Sequence, residues 1–128
     1  MNLLKQILYV DDDADAPLLL RLMLREATLG QYQISCARTV TEGLGKLQQQ
    51  PYDLVVLSWF YEDGDGIDLC RQIRQAGVRT PILFYSGEAR AVYKELALQS
   101  GAQAYLVKPD DLARLVETIE QLAHGERS

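Results

Sequence analysis

Ile7-Leu8-Tyr9-Val10 runs directly into Asp11-Asp12-Asp13, and that junction decides the fold. A short unbroken apolar run reads as a strand buried on both faces, where a half-buried strand would alternate. Four further short runs of four or five residues also read as strands, Tyr32 to Cys36, Leu54 to Leu57, Ile82 to Tyr85 and Ala104 to Val107, rich in Val, Ile, Leu and Tyr. After each strand the apolar spacing lengthens to about 3.6, most clearly at Leu112, Leu115, Val116, Ile119 and Leu122. Five helices therefore follow five strands.

The punctuation agrees. Thr39-Val40-Thr41-Glu42 is a capping box that starts the second helix. Gly77, Gly101 and Gly125 each follow a helical pattern, where a left-handed stop is expected, and Asp110 or Asp111 is placed to cap the last helix. Pro51 ends the polar stretch Gln48-Gln49-Gln50. Strict alternation with buried strands demands a parallel sheet, and right-handed crossovers put helices on both faces. The expected fold class is α/β, a three-layer, doubly wound five-stranded parallel sheet with five helices, formed by residues 1–128 as one domain.

Of the 128 residues, 48% are apolar and 24% charged, which fits one globular domain. A formal charge of -5 speaks against a broad nucleic-acid face and for a cation or a basic partner. The longest apolar stretches, such as Leu18 to Leu20 and Leu54 to Leu57, fall far short of the roughly 20 residues that span a bilayer. Met1 to Lys5 carries no secretory signature, so a cytoplasmic protein is expected. Cys36 and Cys70 belong to no CxxC pair and read as buried thiols, while His124 reads as a solvated residue of the polar tail.

In a doubly wound sheet the ligand site lies beyond the carboxyl ends of the strands. The residues there are Asp11, Asp12 and Asp13, then Ser58, Trp59 and Phe60, then Ser86 and Gly87, then Lys108 and Pro109. Two short windows, residues 11–15 and 62–68, hold eight of the eighteen acids. Adjacent carboxylates at a strand end repel unless a cation intervenes, and a hard oxygen site with few protein ligands suits Mg²⁺. Lys108 alone would relieve the same repulsion, so neutralisation by lysine and metal binding both stay open. Asp11, Asp12, Ser58, Ser86 and Lys108 are expected around one pocket, with Lys108 bonded to Asp11, Asp12 or Ser58.

Ile7 to Asp13, Asp65-Gly66, Pro81 to Ser86 and Ala104-Tyr105-Leu106-Val107-Lys108-Pro109 together resemble the receiver domain of bacterial response regulators, a flavodoxin-like fold. The resemblance spans almost the whole chain in order and spacing. It implies two-component or phosphorelay signalling, a sensor histidine kinase, phosphotransfer protein or fused signalling domain as partner, and no enzyme activity beyond that exchange. It implies Asp11 and Asp12 as the metal-binding acidic pair, aided by the Phe60 backbone carbonyl. It further implies Ser86 as the hydroxyl on the phosphoryl group, Lys108 as its counter-ion, Ser86 and Tyr105 as the switch, and a cis Lys108-Pro109 bond.

One position departs from that pattern. The place of the phosphoacceptor aspartate falls on Ser58, and Trp59-Phe60-Tyr61-Glu62-Asp63-Gly64 replaces the usual loop. Serine brings neither charge nor acyl-phosphate chemistry, and an alcohol nucleophile needs a base and an orienting third group, while no histidine lies near the strand ends. Mg²⁺ is expected to be weakened by the missing carboxylate. The leading expectation is a pseudo-receiver acting through protein-protein contact. The alternatives are a phosphorylatable receiver using a displaced acid with Mg²⁺, Asp63 and Asp65 lying five and seven residues past Ser58 and Asp13 pointing differently from its neighbours, and a small-molecule or flavin-binding domain of the same architecture, against which the lack of a Ser/Thr-rich phosphate loop speaks.

Two surfaces invite partners. On the first helix Ala16, Leu19, Leu20, Met23, Leu24 and Ala27 make the inward face, which leaves Leu18 and Leu22 on the other side near Arg21 and Arg25, either as isolated surface apolars or as a partner patch, and the resemblance turns this helix toward the kinase or phosphotransfer protein. The fourth helix, fifth strand and fifth helix, around Tyr93, Lys94, Glu95, Tyr105, Arg114 and Glu117, form the surface that the resemblance assigns to homodimers, although its mixed charges equally fit a solvated face.

Overall fold

Each apolar run is a strand in the computed structural model, which describes residues 4–27 and 30–125. The main strands are β1 (Lys5–Val10), β2 (Tyr32–Ala37), β3 (Leu54–Leu57), β6 (Ile82–Ser86) and β7 (Ala104–Val107). They form one parallel sheet in the order β2-β1-β3-β6-β7. Between β3 and β6 lies a two-residue hairpin, β4 (Phe60–Tyr61) against β5 (Gly64–Asp65). The helices are α1 (Ala16–Leu24), α2 (Val40–Gln49), α3 (Gly66–Gln75), α4 (Ala91–Gln99) and α5 (Leu112–His124).

Alternation along each strand divides the core in two. Ile7, Tyr9, Leu54, Val56, Leu83 and Tyr85 face Leu20 and Leu24 of α1 and Leu115, Ile119 and Ala123 of α5. Leu8, Val10, Val55, Leu57, Ile82 and Phe84 face Val40, Leu69, Cys70, Ile73 and Ala97 on α2, α3 and α4. Because both faces are covered, β3 and β6 are buried throughout. Chain order reverses about β1, so the carboxyl ends of β1 and β3 form the switch point. No helix among the described residues is long and apolar enough to cross a membrane.

At the opposite end of the sheet Arg74 acts as a clamp. It donates to the carbonyls of Gly101 (2.7 and 3.1 Å), Val78 and Thr80 (2.9 Å each) and to Gln103 Oε1 (3.0 Å). Gly101, at φ +114°, leaves room for that guanidinium, since a Cβ there would stand 2.9 Å from it.

Several local expectations need correction. Leu19 is 51% exposed, because α1 presents Leu20 and Leu24 to the sheet and leaves Leu19 lining the open cleft between α1 and α5. Gly125 is extended (φ -68°, ψ 158°), unlike Gly77 at φ 81°; α5 simply runs out. Asp111 stands at the N-cap of α5, yet its carboxylate accepts from the Val107 amide at 2.8 Å and caps nothing. Cys70 is buried, whereas Cys36 is only partly so. His124 is no solvated tail residue: it is half-buried, its Nε2 lies 3.0 Å from the Tyr32 hydroxyl, and the rings meet edge to face. Burial and the nearby Glu120 charge push the Tyr32 hydroxyl up to about 12.

Candidate functional site

The parallel register sets Val10 beside Leu57, Leu57 beside Phe84 and Ser86 beside Val107. Asp11, Ser58, Ser86 and Lys108 consequently emerge at the carboxyl end of the sheet, each as the last residue of a strand or the next one along, on β1, β3, β6 and the edge strand β7.

Asp11 is the electrostatic centre. It is 2% exposed, and its backbone N–H continues the sheet by donating to the Ala37 carbonyl at 2.9 Å. One carboxylate oxygen accepts from the Asp13 amide at 2.9 Å and the other from Lys108 Nζ at 2.5 Å. Lys108 is fixed in turn by its amide on the Ser86 carbonyl (2.8 Å) and by the Tyr85 ring 5.2 Å from its ammonium, and the Lys108-Pro109 bond is cis. A buried carboxylate is tolerated when it is paired and hydrogen-bonded, and Asp11 is both. Burial and the Asp11 charge push the Tyr9 hydroxyl well above its ordinary range.

Asp12 is exposed. Its carbonyl accepts from Arg38 through Nη2 (3.0 Å) and Nε (3.3 Å), so a second cation stands over the acidic turn. Arg38 is held there by the start of α2, where Glu42 accepts the Arg38 amide (2.7 Å) and Thr39 accepts the Glu42 amide (3.0 Å). Asp12, Arg38, Thr39, Phe60, Tyr61 and Glu62 line a cleft of about 580 Å³. A second, apolar cleft of about 300 Å³ opens between α1 and α5 beside Lys108 and Pro109. The first cleft opens on the Asp12 side of the acidic turn and the second on the Lys108 side.

Ser58 is half-buried at the end of β3. Its amide donates to the Tyr61 hydroxyl at 2.7 Å and, at 3.2 Å, to the Val10 carbonyl. The same hydroxyl donates to the Val10 carbonyl at 2.8 Å, and burial pushes it well above the usual phenol range. Tyr61 therefore stitches β1 to the turn after β3 beneath the site. Gly66 closes that turn: its amide bonds the Trp59 carbonyl at 2.6 Å, and a Cβ would meet the Ser58 carbonyl at 2.2 Å and Phe84 at 2.6 Å. Only glycine permits that approach.

The three aromatics after Ser58 divide their work. Phe60 is 57% exposed on the hairpin, while Trp59 and Tyr61 are buried. Trp59 packs edge to face on Tyr93 (4.6 Å between centroids) and against Phe84 (5.7 Å) and Tyr105 (6.4 Å). Tyr105 stacks on Phe84 and donates to the Glu88 carbonyl at 2.7 Å; burial raises its hydroxyl. Ser86, 2% exposed, accepts from the Glu88 amide at 3.1 Å.

Both displaced acids are already engaged. Asp63 accepts from the amides of Val40 (2.8 Å) and Thr41 (2.9 Å) and from the Thr41 hydroxyl (2.7 Å), and these bonds, those from Thr41 foremost, hold its carboxyl below the usual range. It caps α2 from the hairpin. Asp65 caps α3 by accepting from the Asp68 amide at 2.8 Å. Among the described residues no three His, Cys, Asp or Glu side chains converge into a metal cage. Sequence reading sees Tyr61 as an aromatic bordering the site but not its hydroxyl bonds to Ser58 and Val10, and it misses Arg38 and the capping role of Asp63; the capping box at Thr39 is the one signal that bears on Arg38.

The response regulator receiver domain family matches residues 7–120. Response regulator ArlR of Staphylococcus epidermidis is 34% identical over 113 residues, covering 88% of this chain and 50% of its relative; the chain spans about half the length of such curated relatives. A two-component response regulator from Clostridium difficile superposes with a TM-score of 0.85 at 31% identity, over 97% of this chain and 99% of that one. A CheY-like receiver domain protein from Methanospirillum hungatei gives 0.79 at 25%, over 97% and 99%. With the order β2-β1-β3-β6-β7 and the Asp11–Lys108 pair at its carboxyl edge, the chain belongs to the response regulator receiver domain family.

Proposed function

We propose that this chain is a pseudo-receiver, a binding module of two-component signalling that takes up no phosphoryl group at the usual place. The observation that carries the reading is Ser58. The β3 end beside Asp11 offers an alcohol with no histidine at hand, and the Asp11 carboxylate is already bonded to Lys108 and the Asp13 amide, which supports neither an acyl phosphate nor an activated serine there. The displaced-acid alternative loses support because Asp63 and Asp65 are spent on capping α2 and α3.

The residues fit a hard cation only weakly. Asp12, Asp11 and the Phe60 carbonyl would hold Mg²⁺, but Asp11 is already bonded to Lys108 and the Asp13 amide, and hard-cation affinity follows ligand charge and number. Such a cation would supply charge neutralisation at the acidic turn, a task that Lys108 and Arg38 already share. A sensor histidine kinase, a phosphotransfer protein or a joined signalling domain is the proposed partner, in the cytoplasm, with recognition and no turnover as the output.

Titration with Mg²⁺, followed by the fluorescence of Trp59, tests the site. Ser58→Asp is expected to bind at least about tenfold more tightly than the parent. Equal affinities would mean that position 58 does not face the cation, and would remove the observation on which the reading rests.

A further inference from the structure

Asp15, Leu18, Leu22 and Arg25 follow one another along α1 and its caps at spacings of three, four and three residues, and all four are exposed. That spacing draws a single straight stripe, the geometry of a helix-pairing seam. Leu18 and Leu22 are 58% and 49% exposed. Asp15 stands at the N-cap without a side-chain capping bond, and among the described residues neither its carboxylate nor the Arg25 guanidinium has an ion-pair partner. Arg21, by contrast, turns away to the Ile34 carbonyl at 3.0 Å. Arg25 is still in helical conformation (φ -59°, ψ -30°), so the stripe runs about 15 Å from the Asp15 to the Arg25 backbone.

The order along the stripe is acidic, apolar, apolar, basic, and it is symmetric about Leu20. Reversed, it reads basic, apolar, apolar, acidic, which complements itself. We propose that α1 is a homotypic interface: a second copy of this chain lies antiparallel along the stripe. In that arrangement Asp15 meets Arg25 of the other copy twice, and Leu18 meets Leu22 twice, as an isologous two-fold contact requires. The inference goes beyond the pseudo-receiver reading and is independent of the chemistry at position 58.

It also moves self-association away from the face of α4, β7 and α5. There the charges are partly matched within the chain, Arg90 with Glu88 (3.4 Å) and Tyr93, and Arg114 with Asp111 (3.7 Å). The seam on α1 is short, so the dimer is weak, concentration-dependent and sensitive to salt.

Sedimentation equilibrium up to about 1 mM chain, at low salt and at about 0.5 M salt, tests it. The parent is expected to dimerise at low salt and to dissociate as salt rises. Asp15→Arg and Arg25→Asp are each expected to weaken dimerisation at least about tenfold, because each replaces two attractive contacts by two repulsive ones. The double swap, which restores both contacts with signs exchanged, should return to within about threefold of the parent. Leu22→Gln provides an uncharged check and should weaken association with circular dichroism unchanged. A parent that stays monomeric at every concentration, a double swap as weak as either single change, or a dimer indifferent to all four variants would overturn the proposal.

Discussion

Lys108→Met is the perturbation with the largest consequence at the site. The change keeps most of the aliphatic stem and removes the one ammonium bonded to Asp11, whose side chain is 2% exposed. Breaking a fully buried pair by deleting one partner costs about 3–5 kcal/mol, since the remaining charge stays buried without compensation. Two features reduce that figure here. Lys108 is itself 28% exposed, so the pair is partly screened, and the Asp13 amide still donates to Asp11. A loss of about 2 kcal/mol is therefore expected at neutral pH. Urea denaturation followed by Trp59 fluorescence measures it, with the midpoint read at unchanged slope. In the Asp11→Asn background the same change should cost no more than about 0.5 kcal/mol, giving a coupling of about 1.5 kcal/mol. A loss under about 0.5 kcal/mol in the parent, or an equal loss in both backgrounds, would refute the reasoning, because the ammonium would then contribute nothing specific to Asp11.

Tyr61→Phe removes the hydroxyl that joins the Ser58 amide to the Val10 carbonyl in a buried setting; a loss of about 1–2 kcal/mol is expected in the same urea assay. Asp63→Ala removes the remote cap of α2 and should lower the urea midpoint. The Asp63 carboxyl is held below its ordinary range, so its contribution is present above the unfolded value near 3.9 and is lost as pH falls through the lower folded value. The difference between parent and Asp63→Ala should accordingly close on acidification from pH 6 to pH 3, and a gap that widened would contradict the cap.

What the sequence made legible follows from the range of each interaction. Strands β1, β3, β6 and β7 were readable because burial on both faces leaves unbroken apolar runs, and the edge residues followed because the sheet is parallel. The β4–β5 hairpin was not, since two-residue strands carry no periodicity and Tyr61-Glu62-Asp63-Gly64 reads as loop. Leu19 was misassigned because helical spacing fixes a stripe but not how far the helix tilts from the sheet. His124 found Tyr32 across 92 residues, and Asp63 found Val40 across 23; no local signal encodes such partners. Lys108 was readable because an ammonium and two carboxylates at neighbouring strand ends leave few favourable arrangements.

The central claim is that position 58 has lost phosphoacceptor chemistry and that no other acid has taken it over. Incubation of the parent with acetyl phosphate and Mg²⁺, followed by intact-mass measurement before and after treatment that hydrolyses acyl phosphates, tests it directly. The parent is expected to gain no labile phosphoryl group, while the same treatment of Ser58→Asp provides the comparison. A labile phosphoryl group on an aspartate of the parent, whether Asp11, Asp12, Asp13, Asp63 or Asp65, would contradict the account.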